Sequence, residues 1–245
     1  MPGSIRLYVS APLQAGGEIA ATPGQAHYLS TVMRRAAGDA VHLFNGVDGE
    51  WQARIAALRR DRLVLGVERK VRAQAAEPDL WLVFAPLKRD ATDFLVQKAT
   101  ELGAARIVPV LTERTNTARL NLDRLRAIAI EAAEQCERLT VPRIEEPRRL
   151  PALLADWPAD RRLVAALERA VASGVQPAAG PAALLIGPEG GFTDAELDAL
   201  HRNPLVVAAS LGPRILRAET AAIVGLALLQ ATLLQAPLSQ GIGGG

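Results

Sequence analysis

The sequence predicts an α/β protein, with a small β-rich barrel followed by a larger domain built on a parallel sheet. Three observations carry this. The first seventy residues hold short apolar runs divided by turn pairs. From Leu80 onward, apolar runs alternate with segments of helical periodicity. Between the two regimes lies a polar stretch containing Ala and Pro, taken as a linker over residues 73–78. The expected organisation is a barrel domain over 1–72, a second domain over 79–236 and a disordered tail over 237–245.

In order, Ile5–Val9 alternates as a strand does. One helix is expected over Gly24–Arg35, and Gly38-Asp39 turns the chain into a strand at Val41–Phe44. Asn45-Gly46 and Asp48-Gly49 are turn pairs ahead of a strand at Trp51–Leu58, and Arg60-Asp61 separates it from Leu63–Val67. In the second domain Leu80–Ala85 is uniformly apolar, the pattern of a strand buried on both faces. Thr92–Leu102 places Phe94, Leu95, Ala99 and Leu102 on one helical side and ends at Gly103, a C-cap residue. Strands follow at Arg106–Leu111, Leu163–Leu167, Ala183–Ile186 and Leu205–Ala209. Helices follow at Asp123–Arg138, Asp194–His201 (N-capped by Thr193) and Glu219–Gln235. The last helix is apolar almost all round, so it is buried in the core or against a second subunit.

Composition narrows the function. Aromatic residues are 4%, too few for a broad base-stacking platform. A single cysteine, Cys136, excludes an internal disulfide and a cysteine metal cage, and His27, His42 and His201 lack ligand spacing, so no metal is expected. The start shows no basic-then-apolar signal pattern and Ala221–Leu229 is too short for a bilayer span, so a cytoplasmic protein without membrane contact is expected. Overall net charge is +2, but residues 1–72 carry ten Lys and Arg against six Asp and Glu. A basic first domain fits a phosphate-backbone partner, and equally an ordinary solvated face.

Two segments stand out. Leu184-Leu185-Ile186-Gly187-Pro188-Glu189-Gly190-Gly191-Phe192-Thr193 runs from an apolar strand into a glycine-rich turn and a helix start. Glycines there let main chain approach a ligand closely, and the carboxyl end of a parallel strand is the usual place for one. Neither a phosphate loop nor a dinucleotide fingerprint is present, and a plain strand-to-helix turn is the competing reading. Ser210-Leu211-Gly212-Pro213-Arg214-Ile215-Leu216-Arg217-Ala218-Glu219 leaves another strand, turns at Gly212-Pro213 and opens the final helix. Arg214 and Arg217 are either helix-flanking salt-bridge partners or cations for an RNA phosphate or base oxygen.

Together these segments resemble the SPOUT class of knotted RNA methyltransferases, and more narrowly the bacterial family that methylates N3 of a uridine in 16S ribosomal RNA. The resemblance spans nearly the whole chain. It includes Arg6-Leu7-Tyr8-Val9, His27-Tyr28-Leu29, Val32-Met33-Arg34 and Gln97-Lys98-Ala99-Thr100-Glu101-Leu102-Gly103. It continues through Val108-Pro109, Glu113-Arg114-Thr115 and Ala132-Ala133-Glu134-Gln135-Cys136 into both glycine segments. Two departures are visible: Glu137 stands where the family usually has glycine, and Arg89 replaces glycine in Lys88-Arg89-Asp90.

The resemblance implies a SPOUT-type α/β trefoil-knot domain preceded by a PUA-like barrel. It implies a homodimer, with 16S rRNA or the small ribosomal subunit as partner. The methyl donor implied is S-adenosyl-L-methionine, held against Ile186, Gly187, Pro188, Glu189, Gly190, Gly191, Ser210, Leu211, Gly212, Ile215, Leu216 and Arg217. Uracil N3 keeps its proton at neutral pH, so a proton acceptor and positive charge near the ring oxygens are required. Arg217 is the candidate for the charge. Glu189 and Glu219 are acid/base candidates; a carboxylate capping its own turn and a carboxylate at a helix N-terminus are the structural alternatives. Arg6, Arg34, Lys88, Lys98, Arg114, Arg138 and Arg214 are RNA-contact candidates, together with the Arg59-Arg60-Arg62 cluster on charge alone. Two rival readings stand beside this one: a knotted methyltransferase acting on transfer RNA or a 2′-hydroxyl, and a non-catalytic RNA-binding assembly factor.

Overall fold

The computed structural model describes residues 5–59, 62–116, 119–167 and 180–235, with the side chains of 58, 59, 62 and 235 excepted. The side chains of the Arg59-Arg60-Arg62 cluster and the 237–245 tail therefore lie outside what is described. The chain divides into two compact units, one formed by residues 1–76 with 130–141, the other by 77–129 with 142–245.

The first unit is a five-stranded sheet of β1 (Arg6–Tyr8), β2 (Glu18–Ala20), β3 (Ala40–Phe44), β4 (Glu50–Arg59) and β5 (Arg62–Arg72). The strand order is β1-β3-β4-β5-β2, with β1 parallel to β3 and every other pair antiparallel. Register shifts near Trp51, Ala53 and Ala57 mark irregularities of the kind that bend a long strand pair. Alternate residues Val41 and Leu43, Ala53 and Ile55, and Leu63, Leu65 and Val67 bury one face together with Leu7 and Leu29. The helix expected over Gly24–Arg35 is shorter and broken. α1 (Pro23–His27) begins with a Thr22/Gln25 capping box and gives way to a π-helical turn at Tyr28–Val32. There Met33 N–H reaches back to Tyr28 O at 2.9 Å, and Ser30 Oγ bonds Ala26 O at 2.7 Å, widening the turn.

In the second unit β6 (Leu80–Phe84), β7 (Arg106–Leu111), β8 (Arg143–Ile144), β10 (Arg162–Ala166), β11 (Ala182–Ile186) and β12 (Val206–Ala209) form a parallel sheet ordered β12-β10-β11-β6-β7-β8. A further short strand, β9 (Arg148–Arg149), also pairs with β7. All five residues of β11 are buried, as its apolar run requires. The strand faces divide cleanly. Ala183 and Leu185 join Leu150, Leu153 and Trp157 around α4 (Leu150–Ala155), and Leu200 of α5 (Asp194–Arg202). On the opposite face Leu184 meets Gly225 of α6 (Ala218–Gln235), which packs beside α2 (Arg89–Glu101). α3 (Leu122–Gln135) crosses the division at residue 130, so its last turns cluster with the first unit.

The order has a functional consequence. β12 lies beyond β10, yet α6 returns to pack on β11 and β6. The segments that leave β11 and β12 are therefore drawn together at one end of the sheet, where its order switches, the favoured position for a ligand. Among the described residues no helix is long and apolar enough to cross a membrane.

Candidate functional site

The turn after β11 is shaped by its glycines. A Cβ on Gly187 would lie 2.8 Å from the Phe192 ring, so the ring packs directly on the main chain. Gly191 has φ +68 and donates its N–H to Pro188 O at 2.9 Å, closing the turn. Thr193 then caps α5: its hydroxyl accepts from Glu196 N–H, while the Glu196 carboxylate accepts from Thr193 N–H at 2.8 Å. The turn after β12 is held by Ser210 Oγ, which accepts from Gly212 N–H at 3.3 Å, with Gly212 at φ +114.

These two turns face one cavity of about 750 Å³, a volume suited to a ligand of cofactor size. Its walls are Ile186–Phe192 and Ala209–Ala218, closed by Ala166 and Leu167 at the end of β10, Arg114 beyond β7, Leu197 and Ala221. Every residue expected to touch the donor lines it. Apolar side chains (Leu167, Ile186, Leu211, Leu216) offer a surface for a heterocycle, and the open main chain of the turns offers hydrogen-bonding groups. Arg217, Glu189 and Arg214 line the same space with exposed side chains. Glu219 does not; it is half-buried in the first turn of α6, where a carboxylate favours the helix dipole.

The expected RNA cations separate into three groups. Arg34, Lys88, Arg114 and Arg214 are exposed. Arg34 has φ +51, an uncommon conformation for a side-chain-bearing residue. Lys98 is paired with Glu101 at 2.8 Å. Arg6 and Arg138 are buried and correct the expectation. The Arg6 guanidinium donates to Glu50 at 2.6 Å, to the carbonyls of Ala133 (2.9 Å), Glu134 (3.0 Å) and Arg138 (2.8 Å), and sits over Phe44. It therefore satisfies two of the orphan carbonyls in the last turn of α3. Arg138 donates to Thr140 Oγ1 at 3.0 Å. Neither side chain faces solvent, where RNA would meet it.

Two residues not singled out on sequence also organise the site. Glu196 is buried and reaches Glu113 N–H at 2.9 Å as well as its own cap. Phe192 closes over Gly187. The Thr-x-x-Glu spacing of Thr193 and Glu196 is the one local signal that marks the first of these. Among the described residues no group of three or more His, Cys, Asp or Glu is gathered as a metal site requires.

Comparison with known proteins assigns the family. Residues 75–230 match the model for an RNA methyltransferase domain. The chain belongs to the RNA methyltransferase family. Residues 22–68 of this methyltransferase match the RNA methyltransferase PUA domain. Ribosomal RNA small subunit methyltransferase E of Rickettsia conorii is 31% identical over 91% of this chain and 93% of its own length. A methyltransferase from Legionella pneumophila, solved with its bound cofactor SAM, aligns with TM-score 0.85 and 30% identity over 94% of this chain and 98% of that one. Ribosomal RNA small subunit methyltransferase E from Neisseria gonorrhoeae, solved bound to S-adenosyl methionine, aligns with TM-score 0.85 and 28% identity over the same shares. The expected fold, a SPOUT-type parallel α/β domain behind a PUA-like domain, is the one found.

Proposed function

We propose that the protein transfers the methyl group of S-adenosyl-L-methionine to N3 of a uridine in 16S rRNA of the small ribosomal subunit. The observation that carries this is the convergence of the two glycine turns on one cavity, in a chain aligned almost end to end with ribosomal RNA small subunit methyltransferases. The residues present suit the donor. Ile186, Leu167 and Leu211 offer the apolar bed, and the turns at Gly187–Gly191 and Ser210–Gly212 bring main-chain groups to the cavity wall.

S-adenosyl-L-methionine supplies an electrophilic methyl group on sulfur. The protein's part is to orient uracil N3 toward it and to manage the N3 proton. Arg217 supports the developing negative charge on the ring oxygens, since a guanidinium stays charged and donates through a fixed fork. Glu189, exposed on the cavity wall, accepts the proton directly or through water. Arg34, Lys88 and Arg214 serve the RNA backbone, where each lost cation would weaken binding and flatten its salt dependence.

The protein acts as a cytoplasmic homodimer in this reading. Leu228 and Leu234 on α6 and Phe94 on α2 remain exposed, an apolar surface on the two helices that pack together.

The test is methylation of purified 16S rRNA, small subunits and transfer RNA with labelled donor, followed by nucleoside mass spectrometry. N3-methyluridine in the small-subunit RNA is the expected product. Label in transfer RNA alone, or on a ribose oxygen, would overturn the substrate. Absence of donor binding in calorimetry would overturn the enzyme reading.

A further inference from the structure

The Glu113-Arg114-Thr115 motif lies outside both glycine turns, yet the structure ties it to the first of them. Thr112 and Thr115 close a small turn at the end of β7: Thr115 Oγ1 accepts from Thr112 N–H at 2.9 Å, the two hydroxyls lie 2.8 Å apart, and Thr115 N–H returns to Thr112 O. This turn presents two donors toward the neighbouring segment. Glu113 N–H is taken by Glu196 Oε1 at 2.9 Å. Arg114 Nη1 donates to Gly190 O at 2.8 Å and approaches Phe192 O at 3.4 Å, while its stem packs 3.4 Å from where a Gly190 Cβ would stand.

Glu196 is the centre of this arrangement. It is only 7% exposed, and its other oxygen, Oε2, accepts from both Thr193 N–H (2.8 Å) and Thr193 Oγ1 (3.1 Å). Its carboxylate thus bridges the β7 turn and the start of α5, and Arg114 bridges the β7 turn and the glycine turn. A capping box alone accounts for the Thr193 contacts; it accounts for neither the Glu113 contact nor the guanidinium on Gly190.

We propose that Glu196 and Arg114 form a latch that fixes the shape of the Gly187–Phe192 turn, making them positioning residues that set methyl-donor affinity. This rests on the cavity being the donor site. A glycine-rich turn has many conformations available, and donor binding must order it; prior ordering by charged hydrogen bonds removes that cost from the binding step.

The experiment uses the full chain and titrates S-adenosylmethionine and S-adenosylhomocysteine calorimetrically into wild type, Arg114→Ala, Arg114→Lys, Glu196→Gln and the Arg114→Ala/Glu196→Gln pair. Melting temperatures and RNA binding without donor are measured in parallel. Each single substitution is expected to weaken donor binding about tenfold, the worth of one charged hydrogen bond. Arg114→Lys should recover part of the loss, because an ammonium keeps the charge and reaches one carbonyl. The double variant should lose less than the product of the single losses, since both side chains hold one turn. With RNA saturating, donor KM should rise far more than kcat falls.

Donor affinity at wild-type level in folded variants overturns the latch, even if melting temperature drops. Independent, fully multiplicative losses overturn it as well. Weakened RNA binding with unchanged donor affinity in Arg114→Ala overturns it in favour of a direct RNA contact. If wild type binds neither probe, the cavity reading fails instead, and the two failures are distinguishable.

Discussion

Gly225 of α6 lies against Leu184 of β11 so closely that a Cβ on the glycine would stand 2.6 Å from Leu184 Cδ2 and 2.8 Å from Cδ1. Leu184 is fully buried two residues before the end of β11, so the helix rests directly on the strand that carries the first cavity wall. Gly225→Val forces overlap into this contact, and overpacking of that kind costs roughly 1–3 kcal/mol. Helix propensity returns only a few tenths, because a β-branched residue is itself a modest helix former. A lowered urea midpoint is expected, together with weaker donor binding as β11 shifts. An unchanged midpoint would mean that α6 can lift away freely.

Arg6 is expected to matter for folding and not for RNA. Its guanidinium holds the buried Glu50 carboxylate, two carbonyls in the last turn of α3 and the Arg138 carbonyl beyond it. Arg6→Ala removes the closest partner of a carboxylate that is 2% exposed, leaving Arg72 at 3.2 Å and His42 at 3.5 Å. Losing one partner of a buried pair typically costs about 3–5 kcal/mol. Arg6→Lys should rescue only in part, since one ammonium cannot span the same acceptors. Chemical denaturation checks the stability. RNA affinity of the folded fraction should match wild type, and a selective RNA defect would restore Arg6 to the interface.

That correction shows what was legible in the sequence and what was not. β11 and α2 are readable because the information lies within their own residues: five consecutive apolar positions in one, a 3.6-residue stripe ending at Gly103 in the other. β2, with one buried residue of three, and α4, six residues beginning Leu150-Pro151, carry too little pattern to stand out. The role of Arg6 depends on carbonyls 127 and 132 positions away, and no local rule separates a buried arginine from an exposed one. Glu196 is readable as half of a capping box, but its reach to Glu113 spans 83 positions. The two glycine turns are legible as motifs; their meeting at one cavity follows from the order of β10, β11 and β12, which the sequence does not display.

Glu137 has a φ of +61, a left-handed conformation that glycine adopts far more readily than a residue with a side chain. It occupies the left-handed position just beyond the end of α3, the position helices most often give to glycine. A side chain there costs about 1–2 kcal/mol, part of which is recovered because glycine has a floppier unfolded chain. Glu137→Gly keeps the main-chain carbonyl that accepts from Arg72 at 3.1 Å. The expected result is a gain of roughly 0.5–1 kcal/mol, seen as a higher urea midpoint with unchanged slope. A loss of stability would show that the Glu137 side chain contributes more than its backbone strain costs.

Glu134 gives the unit a defined pH response. Burial pushes its carboxyl above the ordinary carboxylate range, outweighing the Tyr8 N–H that donates to it at 2.8 Å and the attraction of Arg6. A carboxyl whose folded-state pKa is raised contributes stability that is fully present below its unfolded value and is lost as pH rises through the folded one. Glu134→Gln, whose amide oxygen can still accept from Tyr8, should therefore be at least as stable as wild type at neutral pH and should lose this part of the pH dependence. Urea midpoints from pH 4 to 8 check it. A variant less stable than wild type at pH 7 would mean that the Arg6 attraction exceeds the burial penalty.

Arg217 and Gly212 separate chemistry from donor binding within one turn. Arg217 is exposed on the cavity wall, so Arg217→Ala removes a cation without disturbing packing. Donor affinity should stay within about tenfold of wild type while most turnover is lost, the signature of an interaction made chiefly in the transition state. Gly212 behaves oppositely. Its φ of +114 is closed to other residues, although nothing lies within 4 Å of a Cβ built there. Gly212→Val must therefore move the backbone, and the prediction is lost donor binding in a chain that still melts cooperatively. Turnover unchanged in Arg217→Ala would remove that residue from the mechanism. Retained affinity in Gly212→Val would show that the second turn does not hold the donor through its main chain.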